Sequence, residues 1–172
     1  LESIENVLKK LYKEIDFKLI NKGNFDYKID GIDYEVIKWN ANSEIEDLNK
    51  IDIGIYPLID SKWVLGKSGL KALQYMAIGI PTVATDVGTS SDIIENMKDG
   101  ILVNNDDEWI NALKYLIANP KIREQMGKNA RKKIEKFYST KVIKSQYLDV
   151  FKDLSKINVG LIFSSGEIGG AE

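Results

Sequence analysis

The stretch that decides the fold is Gly66-Lys67-Ser68-Gly69-Leu70-Lys71-Ala72-Leu73-Gln74-Tyr75-Met76-Ala77-Ile78-Gly79, continuing into Ile80-Pro81-Thr82-Val83-Ala84-Thr85. It reads as a glycine-bearing loop that opens a helix, followed by a short buried strand. Upstream lies Asp52-Ile53-Gly54-Ile55-Tyr56-Pro57-Leu58, a β-rich apolar run ended by proline. Strand, loop, helix, strand is a βαβ unit. In such a unit ligands sit over the loop after the first strand, where helix N-terminal N–H groups are unpaired and partly positive. A phosphate suits that place. Leu70, Leu73 and Ala77, with Met76 beside them, predict a core stripe. Lys67, Lys71 and Gln74 predict a second stripe. It is either a solvated lysine face or an anion site, since two like charges one turn apart repel unless an anion lies between them.

Outward from this unit, the start of the chain carries Ile4, Val7, Leu8, Leu11 and Ile15 at helical spacing. An amphipathic helix is expected over about 2–14. Phe17–Ile20 reads as a strand, 21–33 as loop or weak hairpin, and Tyr34–Trp39 as the next strand. Ser43 with Glu46 suggests a capping box before a short helix. Past Thr85, Asp86-Val87-Gly88-Thr89-Ser90-Ser91 repeats the strand–glycine-loop–helix pattern, with Ser90 or Ser91 as cap. Gly100–Val103 is a strand, a helix starts at Asp106 or Asp107, and Asn119-Pro120 separates it from a helix ending near Phe137. Ser139-Thr140 caps another. Strands alternating with helices make an α/β fold, a Rossmann-like open parallel sheet with helices on both faces. The expected division is 1–155 as that domain and 156–172 as a tail. Within the tail, Ile157–Phe163 and the glycines after it read either as a final edge strand or as the opening of another βα unit.

Composition narrows the chemistry. In 172 residues the net charge is −2, which offers no basic field for nucleic acid. Cysteine and histidine are both absent, which removes disulfides, Cys-based zinc sites, Ser-His-Asp triads and any imidazole base. No Asp-x-Asp pair of the kind that holds a metal–diphosphate is present, so no metal is expected. No apolar run approaches the ~20 residues of a membrane span. With no signal peptide ahead of Leu1, a cytoplasmic location is the expectation.

From Leu1 to about Leu154 the chain resembles the C-terminal half of a retaining glycosyltransferase of GT-B architecture, in the group 1 (family 4) class. The residues that carry the likeness are Asp52–Leu58, Trp63, Gly66-Lys67-Ser68-Gly69, Leu73–Thr85, Asp86-Val87-Gly88 and Gly100–Val103. Asn119-Pro120, Arg123, Met126-Gly127, Ala130-Arg131 and Tyr138-Ser139 support it. The resemblance implies the donor-binding domain of an enzyme that moves a sugar from a UDP- or GDP-sugar to an acceptor, without metal or cofactor. Synthesis of glycans or cell-surface polysaccharide is the implied setting, and the full protein would associate peripherally with membrane. The family motif holds two glutamates, which fall here on Gly66 and Gln74. Gln74 would meet the ribose hydroxyls, and an amide can donate and accept there. Lys67 would stand in as a charged partner for the diphosphate, with Lys71 beside it as the second catalytic lysine. Backbone N–H groups of Ser68, Gly69 and Leu70 complete the cradle. Lys38 and Trp39 would border the base; Trp39 either stacks on it or is buried.

The resemblance also implies an N-terminal acceptor-binding domain that this chain lacks, so the isolated domain would bind donor weakly and transfer nothing. The tail from Asn158 resembles the first strand and glycine loop of a further module. The alternative is a non-catalytic nucleotide-binding or interaction module of the same fold. A receiver-type domain is disfavoured, because it needs clustered acidic residues at strand ends.

Overall fold

A computed structural model describes residues 2–23 and 29–153. The chain divides after Tyr138 into two units, each considered by itself. The expected boundary at 155/156 and the strand at Ile157–Phe163 lie outside the described residues.

The first unit opens with a 3-10 turn at Glu2–Ile4 that runs into α1 (Glu5–Tyr12). Ile4, Val7, Leu8 and Leu11 are all buried, as their spacing requires. Next come β1 (Lys18–Lys22), β2 (Asp33–Ile37), α2 (Glu44–Leu48) and β3 (Gly54–Tyr56). After the 3-10 turn Val64–Gly66 follow α3 (Leu70–Ala77), β4 (Thr82–Thr85), α4 (Ser90–Ile93), β5 (Gly100–Val103), α5 (Asp106–Ala118) and α6 (Pro120–Phe137). The second unit contributes α7 (Thr140–Asp153), whose start is marked by the Ser139 hydroxyl accepting from the Val142 N–H at 3.4 Å.

Among the described residues all five strands pair in parallel, and helices flank them: the architecture is α/β with open parallel sheets. The strands form two ladders rather than one sheet, β1-β2 and β3-β4-β5. The segment 21–33, read as loop or weak hairpin, includes residues 24–28, which lie outside the described residues. Lys18 pairs with Asp33 and Lys22 with Ile37, so β2 runs parallel to β1 rather than antiparallel as in a hairpin.

Two buried clusters hold the helices to the ladders. One joins α1, α5 and the strands through Leu8, Leu11, Val83, Val103, Leu113 and Leu116. The other joins α3 and α6 through Ala72, Met76, Ala130 and Ile134. The core stripe of α3 is therefore Ala72 and Met76, with Leu73 and Ala77 partly buried beside them. Leu70 is a correction: it is 58% exposed at the mouth of the loop. The helix turns its small Ala72 inward, which lets it lie close to the strands. A second close approach fixes its far end, where a Cβ on Gly127 of α6 would stand 2.0 Å from the Gly79 carbonyl oxygen.

Capping differs from expectation at two places. The Ser43 hydroxyl does not bond a backbone N–H; it donates to Asp47 Oδ2 at 2.8 Å. At α4 the N-cap is Thr89, with Ser90 buried inside the first turn. At α5 the Asn105 side chain accepts from the Glu108 N–H at 3.0 Å, which starts the helix at Asp106.

Candidate functional site: the loop from β3 into α3

The loop between β3 and α3 is held by the loop that follows β4. Leu58 N–H donates to Thr85 Oγ1 at 3.0 Å, tying together the carboxyl ends of the two strands. Lys67 N–H closes the 3-10 turn on the Val64 carbonyl at 3.0 Å. The Lys67 carbonyl then accepts the Thr89 hydroxyl at 2.9 Å. Gly69 is the N-cap of α3 at φ 69°, a left-handed conformation that favours glycine. A Cβ there would stand 2.2 Å from Ile93 Cδ1. No side chain caps α3, and the Gly69 carbonyl accepts its first helical bond from Leu73 N–H at 3.1 Å. The N–H groups ahead of Leu73 thus have no helical partner and carry the positive end of the helix dipole.

Lys67 and Lys71 are both exposed, but they do not share one helical stripe. Lys67 precedes the helix in an extended conformation, φ −80° and ψ 133°. The one-turn repulsion expected of the pair therefore does not arise, and each lysine addresses its own cavity. A cavity of about 660 Å³ is lined by Lys67, Trp63, Ser61, Leu58, Pro57 and Asn21. A second, of about 320 Å³, is lined by Lys71, Gln74 and Glu44, and again by Asn21 and Pro57. Both open beyond the carboxyl ends of β1 and β3, where parallel sheets place ligands.

Gln74 and Trp39, far apart in sequence, are brought together by Glu44. Gln74 Nε2 donates to Glu44 Oε1 at 3.3 Å, and Trp39 Nε1 donates to the same oxygen at 3.2 Å. Trp39 is 50% exposed, so the buried alternative is set aside. Lys38 is exposed and lines neither cavity. Of the proposed cradle, Ser68 and Leu70 are exposed and Gly69 is buried. Gly66 is exposed, and a Cβ there would meet nothing within 4 Å.

Glu44, Asn21 and Thr89 are the site residues that sequence reasoning missed. Glu44 looks like an ordinary first-turn acid of α2, and nothing local signals a partner thirty positions away. Behind the second cavity stands a charge cluster around the buried Asp47. Asp47 accepts from Lys22 Nζ at 2.8 Å, Lys50 Nζ at 2.9 Å and the Ser43 hydroxyl. These bonds, Lys22 first, hold its carboxyl well below the usual carboxylate range. Tyr75, on the same cavity wall, has its hydroxyl pushed up by desolvation. Among the described residues no three acidic, Cys or His side chains gather in a way that would hold a metal ion. Among the same residues no helix is long and apolar enough to cross a membrane.

With this geometry in place, comparison with known proteins is informative. Residues 34–133 match the family described as glycosyl transferases group 1. The D-inositol 3-phosphate glycosyltransferase of Gordonia bronchialis is 38% identical over 71 residues, which is 40% of this chain and 16% of that protein. Sucrose-phosphate synthase 4 of Arabidopsis thaliana is 28% identical over 102 residues, 58% of this chain and 10% of that protein. Sucrose-phosphate synthase from Thermosynechococcus elongatus aligns in structure with a TM-score of 0.70 at 16% identity, over 90% of this chain and 43% of that one. The C-terminal domain of a group 1 protein from Francisella tularensis aligns at TM-score 0.54 and 24% identity, over 64% of this chain and 56% of that one. These structural likenesses establish the Rossmann-like fold of a GT-B domain. The chain spans about one sixth of the first curated relative and under half of the Thermosynechococcus structure. Because the family match runs over more than half of its residues, this chain belongs to the group 1 glycosyltransferases, as a C-terminal GT-B domain.

Proposed function

We propose that this chain is the half of a group 1 glycosyltransferase that binds the nucleotide-sugar donor, with the diphosphate over the loop 66–70. The observation that carries the reading is the placement of Lys67. Its side chain is exposed on a cavity of about 660 Å³, beside the uncapped start of α3, at the carboxyl ends of parallel strands. Breaking the bond between sugar and diphosphate leaves negative charge on the diphosphate. The Lys67 ammonium and the fixed N–H dipoles of the helix start stabilise that charge as it grows. Part of the effect is uniform binding, because the diphosphate is already charged in the ground state.

On this reading Lys67 and Lys71 neutralise the diphosphate from two sides of the Asn21–Pro57 wall. Gln74 presents its amide to the ribose, oriented by Glu44. Trp39 and Lys38 flank the base. The acceptor site belongs to an N-terminal domain outside this chain, so the chain by itself binds donor without transferring sugar. Retention of configuration, independence of metal, a cytoplasmic location and a role in polysaccharide synthesis follow by family analogy. Uridine is the first base to test, because an Anabaena protein of the same fold has been solved with UDP and glucose.

The second reading is a nucleotide-binding module without catalysis. Gly66 and Gln74 favour it, since each stands where the family pattern has a glutamate. Calorimetric titration with UDP, GDP and their glucose and mannose conjugates separates the two. Donor binding predicts that one nucleotide binds and that its sugar conjugate binds at least as well. Binding of nucleotide with the sugar excluded supports a nucleotide-binding module, and no binding at millimolar concentration removes donor binding and favours an interaction module of the same fold.

A further inference from the structure

Trp63 is displayed rather than packed. Of the three tryptophans, Trp109 is buried in the core and Trp39 donates its N–H to Glu44, whereas Trp63 is 77% exposed. Its indole N–H has no hydrogen-bond partner among the described residues. The backbone beneath it is nonetheless fixed. Val64 is buried, its N–H donates to the Ser61 carbonyl at 3.0 Å, and Gly66 N–H donates to the Trp63 carbonyl at 3.3 Å. Gly88 from the next loop packs so close that a Cβ there would stand 3.0 Å from the Val64 carbonyl oxygen. A large apolar ring held out to water on a firm turn gains its burial energy only when something covers it.

The position of the ring says what covers it. Trp63 and Lys67 line the same cavity of about 660 Å³, within the size range of small-molecule sites. On the donor-binding reading, on which this inference rests, the nucleoside end lies by Gln74 and Glu44 in the second cavity. The diphosphate crosses the Asn21–Pro57 wall to Lys67. The group bonded to the far phosphate is the sugar, which then lies in the cavity that Trp63 walls. The wall beside Trp63 is formed by Pro57, Leu58 and Val64, with Ser61 supplying a hydroxyl, and Gly66 has no side chain to offer. Such a wall holds a pyranose by its ring face better than by its hydroxyls. The ring faces carry partly positive C–H hydrogens, which suit the electron-rich face of an indole. An indole also has few torsions to freeze, so stacking costs little entropy.

We infer that Trp63 is a specificity-determining residue for the donor's sugar: its indole is a platform on which a neutral pyranose stacks by its C–H face. Lys67 and the helix start grip the diphosphate, and Trp63 makes the sugar conjugate a better ligand than the bare nucleotide.

The test titrates the 172-residue chain, Trp63→Ala and Trp63→Phe with UDP, GDP, UDP-glucose, UDP-N-acetylglucosamine and GDP-mannose. The parent is expected to bind at least one conjugate about three- to tenfold more tightly than its nucleotide, the scale of one aromatic contact. Trp63→Ala abolishes that preference and leaves the affinity for bare nucleotide and the thermal midpoint unchanged, because the ring packs on little of the protein. Trp63→Phe keeps part of the preference. In NMR spectra the bound conjugate's sugar protons shift upfield under the indole ring current, and Trp63→Ala removes the shift. A preference unmoved by Trp63→Ala, equal loss of nucleotide and conjugate, or no preference in the parent overturns the inference and leaves nucleotide binding standing. Absence of binding by every nucleotide overturns the donor reading, and this inference with it.

Discussion

Gln74 Nε2 sits 3.3 Å from Glu44 Oε1, so the side chain that replaces a family glutamate is itself held by a glutamate from another helix. On the proposed reading the Glu44 carboxylate acts on the nucleotide through the Gln74 amide. Replacing Gln74 with Ala removes one hydrogen-bonding group from the ribose position. The expected loss of nucleotide affinity is about 0.5–1.5 kcal/mol, the scale of a neutral hydrogen bond. The thermal midpoint should stay put, because the pair is only part-buried. Calorimetry alongside thermal melts separates the two effects.

Lys67→Met keeps the aliphatic stem and deletes the charge. Loss of a charge-assisted bond to the diphosphate is expected to weaken UDP or GDP binding by about 1.5–3 kcal/mol. Uridine or guanosine without phosphate should bind equally to both proteins. Equal loss for nucleoside and nucleotide would place Lys67 elsewhere in the site.

Gly66→Glu tests the missing glutamate. A Cβ at Gly66 meets nothing within 4 Å, so the larger side chain should fold with an unchanged melting midpoint. If the loop orients donor sugar as the family pattern implies, the variant should bind the sugar nucleotide more tightly relative to free nucleotide. Competition titration of the two ligands reads the ratio.

Gly127→Ala addresses the frame under the site. The new methyl would meet the Gly79 carbonyl oxygen at 2.0 Å and its carbon at 2.9 Å, both backbone atoms that cannot rotate aside. α6 must then separate from the end of α3, at a cost of about 1–3 kcal/mol. Chemical denaturation checks it, with the midpoint falling and the slope unchanged.

Asp47 ties part of the fold's stability to pH. Its carboxyl is held below its ordinary value of 3.8 by Lys22, Lys50 and Ser43. A depressed folded pKa contributes stability that is complete above the unfolded value and is lost as pH falls through the folded one. Asp47→Asn should therefore be less stable than the parent at neutral pH, with the gap narrowing as pH drops below about 3.8. Melts across that range, in matched salt, read the convergence.

The sequence carried the frame well for physical reasons that particular residues make plain. Ile4, Val7, Leu8 and Leu11 repeat at helical spacing, and all four are buried. Asn105 and Glu108 mark the start of α5 by local hydrogen bonds that need no tertiary partner. What the sequence hid depended on contacts between distant segments. Leu70 has the spacing of a core residue relative to Leu73, yet the buried face is centred on Ala72 and Met76, and helical geometry puts Leu70 on the side away from Ala72. Lys67 has the spacing of Lys71, yet the extended backbone at 67 removes it from the helix. Ser43 has the composition of a cap, yet a buried carboxylate four residues later captures its hydroxyl.

The most direct measurement is an amide-resolved NMR titration of the chain with UDP and with GDP. Diphosphate binding over the loop predicts that one nucleotide shifts the backbone amides of Lys67 to Lys71 first and furthest, and that Lys67→Met suppresses those shifts. Saturable shifts elsewhere, with these amides unmoved, contradict the account.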